Sequence, residues 1–279
     1  MMDHKKYRVG VNYTSSRHFT LIKELIDARV VDFVEILIDN FLTVPAQSIL
    51  EKFESIPLAF HIMNSRFLEE KEDAKLRALA APIKSLIRET RPLYVSDHVG
   101  RFTHNGCVLP ILGEYNYRNT EHAVTAVDRW QSLLGTQLLL ENFPSYTMDG
   151  AEQPVFFETV LGRTGAGLLF DVSNAIVAGR NTHVAPSAWD DLIDGCHHYH
   201  AGGYSESEFE PIMLLDTHDR PLSDETSAAI ADIMSRRESV VSTITIEFDR
   251  NIEKETWRRE LERVAGLTSA RASRDKVLL

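Results

Sequence analysis

Seven apolar runs in this chain each carry an acidic or metal-capable side chain at or near their end. VDFVEIL carries Glu35, PLAFHI carries His61, PLYVSDH reaches Asp97 and His98, and QLLLEN holds Glu141. GLLFD ends on Asp171, HHYHAGG holds His200, and TITIEFD holds Glu247. One polar residue closing one strand is ordinary; its recurrence along the chain implies that the strand ends share a rim. A parallel β/α barrel provides such a rim, because the carboxyl ends of all its strands open on one face, where these folds carry their chemistry.

The segments between these runs alternate with them in type. Strands are expected at about 7–13, 31–37, 57–62, 92–97, 136–142, 165–171, 197–202 and 242–248. Helices are expected at about 17–29, 45–53, 72–90, 119–134, 153–162, 186–194, 223–237 and 253–265, the third kinked by Pro82. Strands this continuously apolar suit a sheet covered on both faces. The expected fold is therefore a (β/α)8 TIM barrel, with residues 1–265 as one domain and 266–279 as a C-terminal tail. GRFTHNG reads as a loop, and 203–221 is long for a βα connection, as functional loops often are.

Composition excludes several functions. A net charge of −11 disfavours nucleic acid, whose phosphates are bound by clustered Lys and Arg. Two cysteines, Cys107 and Cys196, cannot make a disulfide framework or a cysteine-based zinc site. The start MMDHKKYRVG lacks the apolar core of a signal peptide, and no run is long enough to span a bilayer. A soluble cytoplasmic protein is expected.

The candidate metal ligands are His61, His98, Glu141, Asp171, His200, Asp216, His218 and Glu247. Imidazole nitrogen and carboxylate oxygen suit iron, manganese and zinc. Eight such groups exceed the needs of one ion, and a bridging carboxylate would let them hold two or three. Any one alone has a structural alternative: His61 could be a hydrogen-bonded core residue. Buried together, unpaired carboxylates repel one another, and cations resolve the repulsion. Asp216 and His218 face one way if DTHD is extended; a turn with Asp219 near the next helix start is the other reading.

Further residues have secondary roles. Asn174 either adds a ligand or fixes the loop after Asp171. Glu35 and Asp97 are placed to orient a ligating imidazole. Asp249 shares the face of Glu247 and is a candidate proton acceptor, or else an exposed loop carboxylate. His198 reads as a core histidine below the metals, and Cys107 as a spectator thiol. Gly202 and Gly203 permit close backbone approach near the site.

VEILIDNF, AFHIMNSRFLE, RPLYVSDHVGRFTHNG, LGTQLLLENFPS with MDG, LLFDVSNAI, HYHAGGY, DTHDR and TITIEFDR together resemble the multinuclear non-haem iron-dependent oxidative enzymes, in particular those of methanobactin biosynthesis. The resemblance implies a barrel with two or three irons of mixed valence that uses dioxygen. It carries over the same ligands, His61, His98, Glu141, Asp171, His200, Asp216, His218 and Glu247, with Asn174 as an additional contact and Asp249 as the residue that moves a proton. It also implies a ribosomally made precursor peptide as substrate, one cysteine being oxidised to an oxazolone with a neighbouring thioamide, groups that later bind copper. A small partner protein would complete a heterodimer. Phe248 departs from the pattern, since that family commonly has an arginine between the two acids. The competing reading is a zinc or manganese metallohydrolase or sugar isomerase on the same barrel.

Overall fold

The computed structural model describes residues 7–54, 56–236, 241–250 and 253–269. The first part of the chain runs β1 (Tyr7–Tyr13), α1 (Phe19–Asp27), β2 (Phe33–Leu37), α2 (Ala46–Lys52), β3 (Leu58–Ile62), α3 (Asp73–Thr90) and β4 (Val95–His98). There follow β5 (Gly100–His104), β6 (Cys107–Glu114), α4 (Thr120–Leu134), β7 (Leu139–Glu141), α5 (Gln153–Thr164), β8 (Gly167–Asp171), α6 (Val172–Thr182) and α7 (Asp190–Gly195). The last part is β9 (His198–Gly202), β10 (Tyr204–Glu206), β11 (Leu214–Asp216), α8 (Asp224–Ser235), β12 (Ser242–Glu247) and α9 (Lys254–Ser269). Strands β1, β2, β3, β4, β7, β8, β9 and β12 pair in parallel, and β12 closes on β1. The expected (β/α)8 barrel is the observed fold.

Alternation along each strand divides its side chains between two apolar layers. Val34, Ile36, Phe60, Ile62, Val95 and Ile246 face outward into the core between barrel and helices, where Trp130 and Trp257 are also fully buried. Phe33, Ala59, Tyr94, Leu139 and Leu169 form a second cluster inside the barrel. That inner cluster is a floor. Two residues further along the same strands stand Glu35, His61, Ser96, Glu141 and Asp171, all buried. The period of two thus carries each strand from apolar plug to polar rim.

The same parity corrects the expectation for Asp97. Ser96 and His98 point into the barrel, so Asp97 points out of it, and its carboxylate accepts from the indole Nε1 of Trp130 at 2.9 Å and from the His98 N–H at 2.8 Å. It orients no imidazole. Burial lifts its carboxyl well above the usual range, against hydrogen bonds from Ser65, His98 and Trp130.

Several elements differ from expectation. Residues 100–114 form an antiparallel hairpin rather than a loop, turning at Asn105 and Gly106, both at positive φ (49° and 78°) as a tight hairpin turn requires. Helix α6 starts directly after Asp171, in the interval expected to be a connection before 186–194. The 203–221 segment contains the hairpin β10–β11. Pro82 is accommodated within α3, and α9 continues to Ser269, so the tail expected from 266 begins helical and its remainder lies outside the described residues. No helix among the described residues is long and apolar enough to cross a membrane.

Trp130→Phe keeps the packing but leaves the buried Asp97 carboxyl without its indole donor. A loss of about 1–3 kcal/mol is expected in urea unfolding; an unchanged midpoint would show that this hydrogen bond contributes nothing.

Candidate metal centre

His61 at the end of β3, His98 at the end of β4 and Glu141 at the end of β7 bring three donor atoms together. His61 Nε2 lies 3.2 Å from His98 Nε2, and Glu141 Oε2 lies 3.5 Å from the first and 3.1 Å from the second. The other ring nitrogens are engaged. His98 Nδ1 faces the Ile62 carbonyl at 3.2 Å, which can only accept. Ser96 Oγ lies 2.7 Å from His61 Nδ1 and donates its own proton to the Phe60 carbonyl, so it accepts from the imidazole. Both imidazoles therefore carry their proton on Nδ1, and two Nε2 lone pairs face each other beside a carboxylate. Ligands about 2.1 Å from a shared ion, in tetrahedral or octahedral arrangement, stand about 3.0–3.4 Å apart.

A second set shares Glu141. One oxygen each from Glu141, Asp171 and Glu247 and one His200 nitrogen lie within 4.8 Å of one another, all buried. His200 Nδ1 is 3.0 Å from Glu141 Oε1 and 3.4 Å from Glu247 Oε2. Its Nε2 is 2.8 Å from Glu35 Oε2, and Tyr94 donates to the same carboxylate oxygen. Glu35 thus orients the ring, as expected from the sequence. Asp171 caps α6 with Oδ1, which accepts from the Asn174 N–H at 2.7 Å, leaving Oδ2 without a hydrogen-bond partner. Asn174 donates through Nδ2 to the Asn142 carbonyl, so its Oδ1, also without a partner, is the free end and lines the cavity.

Asp216 and His218 extend this second set. His218 Nε2 approaches Asp216 Oδ1 at 2.7 Å and Glu247 Oε2 at 3.7 Å. The close pair lacks hydrogen-bond geometry, and both atoms are buried without another partner. Two donors aimed at one point have this relation. His218 stands at φ 47°, so DTHD is not simply extended, and the cap of α8 is Ser223 rather than Asp219. A Cβ on Gly202 would meet the His218 ring at 2.4 Å, which is the close approach expected there. Asp249 Oδ2 faces His218 Nδ1 at 3.2 Å, and its Oδ1 accepts from Asn12 Nδ2 at 3.0 Å. Phe248 points away, packing on Trp257 in the outer core, and does not line the mouth.

The electrostatics fit cations. Glu35, Glu141, Asp171, Asp216 and Glu247 converge, and among the described residues no Lys or Arg pairs with any of them. Burial, Glu141, Asp216 and Glu247 hold the Asp171 carboxyl well above its usual range, and burial also raises Glu247. Burial opposes charge on His200 and His218, yet Glu247, Glu35 and Glu141 around the first, and Asp216 and Glu247 around the second, raise both. Burial and His98 push His61 down to about 4, leaving its lone pair free. The raised groups hold protons that a cation must displace, so affinity for a divalent ion should strengthen with pH. A competition titration is expected to give at least about tenfold tighter binding near pH 8 than near pH 6, with proton release; pH-independent affinity would contradict it.

The donors open onto a cavity of about 590 Å³ lined also by Leu37, Met63, Leu112, Phe143 and Tyr146. A family model described as "RiPP precursor modification enzyme MbnB/TglH/ChrH" matches residues 8–269. The chain belongs to this family. A UPF0276 protein of Anaeromyxobacter sp. (strain Fw109-5) is 30% identical over 239 residues, covering 80% of each chain. One of Psychromonas ingrahamii is 25% identical over 259 residues, covering 88% of each. A xylose isomerase domain protein from Planctomyces limnophilus superimposes with a TM-score of 0.64 at 16% identity, over 96% of this chain and 99% of that one. That likeness concerns the fold.

Membership of the MbnB/TglH/ChrH family makes this an enzyme of precursor peptides, as the motif resemblance implied. All ten candidate residues, including Asn174 and Asp249, gather at the same mouth. His198 lies below them, bonded to Thr243 and against Tyr94, as a core histidine. Sequence reading missed Ser96, Asn12 and Asn142, whose hydroxyl and amides position His61, Asp249 and the Asp171 backbone. The signal available for Ser96 was its place two residues before His98 on one strand face. Ser96→Ala frees His61 Nδ1 and should weaken metal at the His61–His98–Glu141 set by about 10–100-fold with the fold intact; full metal content at limiting metal would count against that role.

Proposed function

We propose that this chain is an iron-dependent oxidase that uses dioxygen to convert a cysteine of a ribosomally made precursor peptide to an oxazolone with a neighbouring thioamide, in methanobactin (copper chelator) biosynthesis. The observation that carries the reading is the carboxylate of Glu141, whose two oxygens face different donor sets, Oε2 toward His61 and His98 and Oε1 toward His200. A carboxylate so placed suits a bridge between neighbouring ions. Iron in these sets would bind the thiol as thiolate and supply one-electron redox chemistry with dioxygen.

The chain's own side chains would do the rest. His61, His98, Glu141, Asp171, His200, Asp216, His218 and Glu247 would hold two or three irons, with Asn174 Oδ1 as a further contact. The cavity in front of these donors would hold the thiol close to the irons, which would supply the redox chemistry with dioxygen. Asp249 would take the proton that leaves the peptide nitrogen as the ring closes. Burial raises its carboxyl, but the His218 hydrogen bond and charge and the Asn12 amide outweigh this and hold it below the usual range, so it is ionised and able to accept. Asn12 fixes its direction, since Asn12 Oδ1 already accepts from the Phe248 N–H.

The hydrogen balance closes: about four hydrogens leave the cysteine and its neighbour, and dioxygen accepts them as water. A small partner protein would complete the active heterodimer, and a cytoplasmic setting, where thiols stay reduced, suits a thiol substrate. The test is the mass of the precursor peptide after incubation with anaerobically purified enzyme, its partner and then oxygen. A loss of about four hydrogens per modified cysteine is expected, falling at least about tenfold in rate in Asp249→Asn with metal content unchanged. An unchanged peptide mass, or a zinc-loaded protein that hydrolyses or isomerises instead, would overturn the reading.

A further inference from the structure

We propose that one side of the cavity mouth is a docking ledge for an extended segment of the precursor peptide that is both apolar and basic; this rests on the reading of the chain as a peptide-modifying enzyme. The ledge has three parts. They are the hairpin β5–β6, the segment after β7 around Ser145–Gly150, and the hairpin β10–β11. Hydrogen bonds join them: Glu114 accepts from Thr147 N–H and hydroxyl at 3.2 and 2.7 Å, and Tyr146 accepts from the Asp216 N–H at 3.3 Å. Asn181 donates to both the Ser145 and Leu214 carbonyls.

This ledge carries five of the seven large apolar side chains that stand exposed among the described residues: Val108, Ile111, Met148, Phe209 and Ile212. Phe209 is 79% exposed and Ile111 72%. Clustering of this kind on one rim marks an interaction surface rather than scattered surface residues. Ile111 and its neighbour Leu112 also line the metal cavity, so the ledge and the cavity share residues. The register shifts between Arg101 and Thr103, so residues 109–112 stand outside the regular ladder of the hairpin.

Charge and backbone chemistry select the occupant. Glu206, Glu208 and Glu210 are exposed on the β10–β11 hairpin, and among the described residues no basic side chain pairs with them. An occupant with Lys or Arg beside apolar residues would complement them. Strand β5 is already held by the Glu69 carboxylate, which accepts from the N–H groups of Phe102 and Thr103. From Val108–Leu112 no hydrogen bond leaves the hairpin among the described residues, so outside Pro110, which has no N–H, the outer side of β6 offers backbone groups to an incoming extended segment. A peptide lying there would enter the cavity beside His98, because β5 begins two residues after it.

Fluorescence anisotropy with the metal-loaded full chain tests this, using a labelled peptide of about twelve alternating Lys and Val residues and its Glu–Val counterpart. The Lys–Val probe should bind, and the Glu–Val probe at least about tenfold more weakly. Affinity should also fall at least about tenfold in Ile111→Ser with Phe209→Ser, and in Glu206→Gln with Glu208→Gln and Glu210→Gln, all exposed positions whose replacement should not move the melting temperature. His61→Ala should leave probe binding intact while removing oxidation. Docking and chemistry therefore fail separately. Equal binding of the two probes or unchanged affinity in both ledge variants would overturn the proposal. So would loss of a co-purifying protein from these variants without any change in probe affinity, which would assign the ledge to a partner.

Discussion

Mutual repulsion among buried carboxylates is the constraint around which this barrel is built. Glu35, Glu141, Asp171 and Glu247 are drawn together at the mouth by strand register, above an apolar floor that excludes water from below. Among the described residues no Lys or Arg pairs with them and imidazoles are the only cationic partners, so burial and mutual repulsion favour protons on His200, His218 and Asp171. An arrangement that costs several kcal/mol per unpaired group persists only where something offsets it. Cations offset it, and the orphaned oxygens of Asp171 and Asn174 mark where they would be held.

The fold serves this convergence. Closure of eight parallel strands makes the rim continuous, and the outer apolar layer fixes strand positions closely enough for donor atoms to meet within a few ångströms. Supporting groups lock each donor: Ser96 and the Ile62 carbonyl fix the tautomers of His61 and His98, Glu35 with Tyr94 fixes His200, and Asn12 with Asp249 fixes His218. The hairpins after β4 and β9 leave the barrel at the same face and shape the approach to it. Membership of a precursor-peptide-modifying family gives that approach a purpose, since a peptide must thread from solvent to a buried site.

Much of this was legible in the sequence because a strand buried on both faces writes a continuous apolar run, and the rim residue ends it. His61, Glu141, Asp171 and Glu247 could be placed from that alone. An acidic residue beside a histidine does not by itself show which of the two faces inward; neighbours on a strand face opposite ways, so Asp97 and His98 cannot both see the mouth. Helix α6 was hidden because it follows β8 without a break and opens on Val172, Ser173 and Asn174, poor helix formers held by the Asp171 cap. The β5–β6 hairpin carried its signal, Asn105–Gly106, inside what read as a loop. Ser96 and Asn12 are common residue types with no motif of their own, and only the fold reveals what they hold.

Metal analysis with magnetic spectroscopy on anaerobically purified protein distinguishes Glu141 as a bridge between two neighbouring ions from Glu141 as a ligand of one. At least two irons per chain, magnetically coupled, with the coupling lost in Glu141→Gln, is the predicted result. One isolated ion, or zinc alone with no iron bound under anaerobic loading, would contradict it.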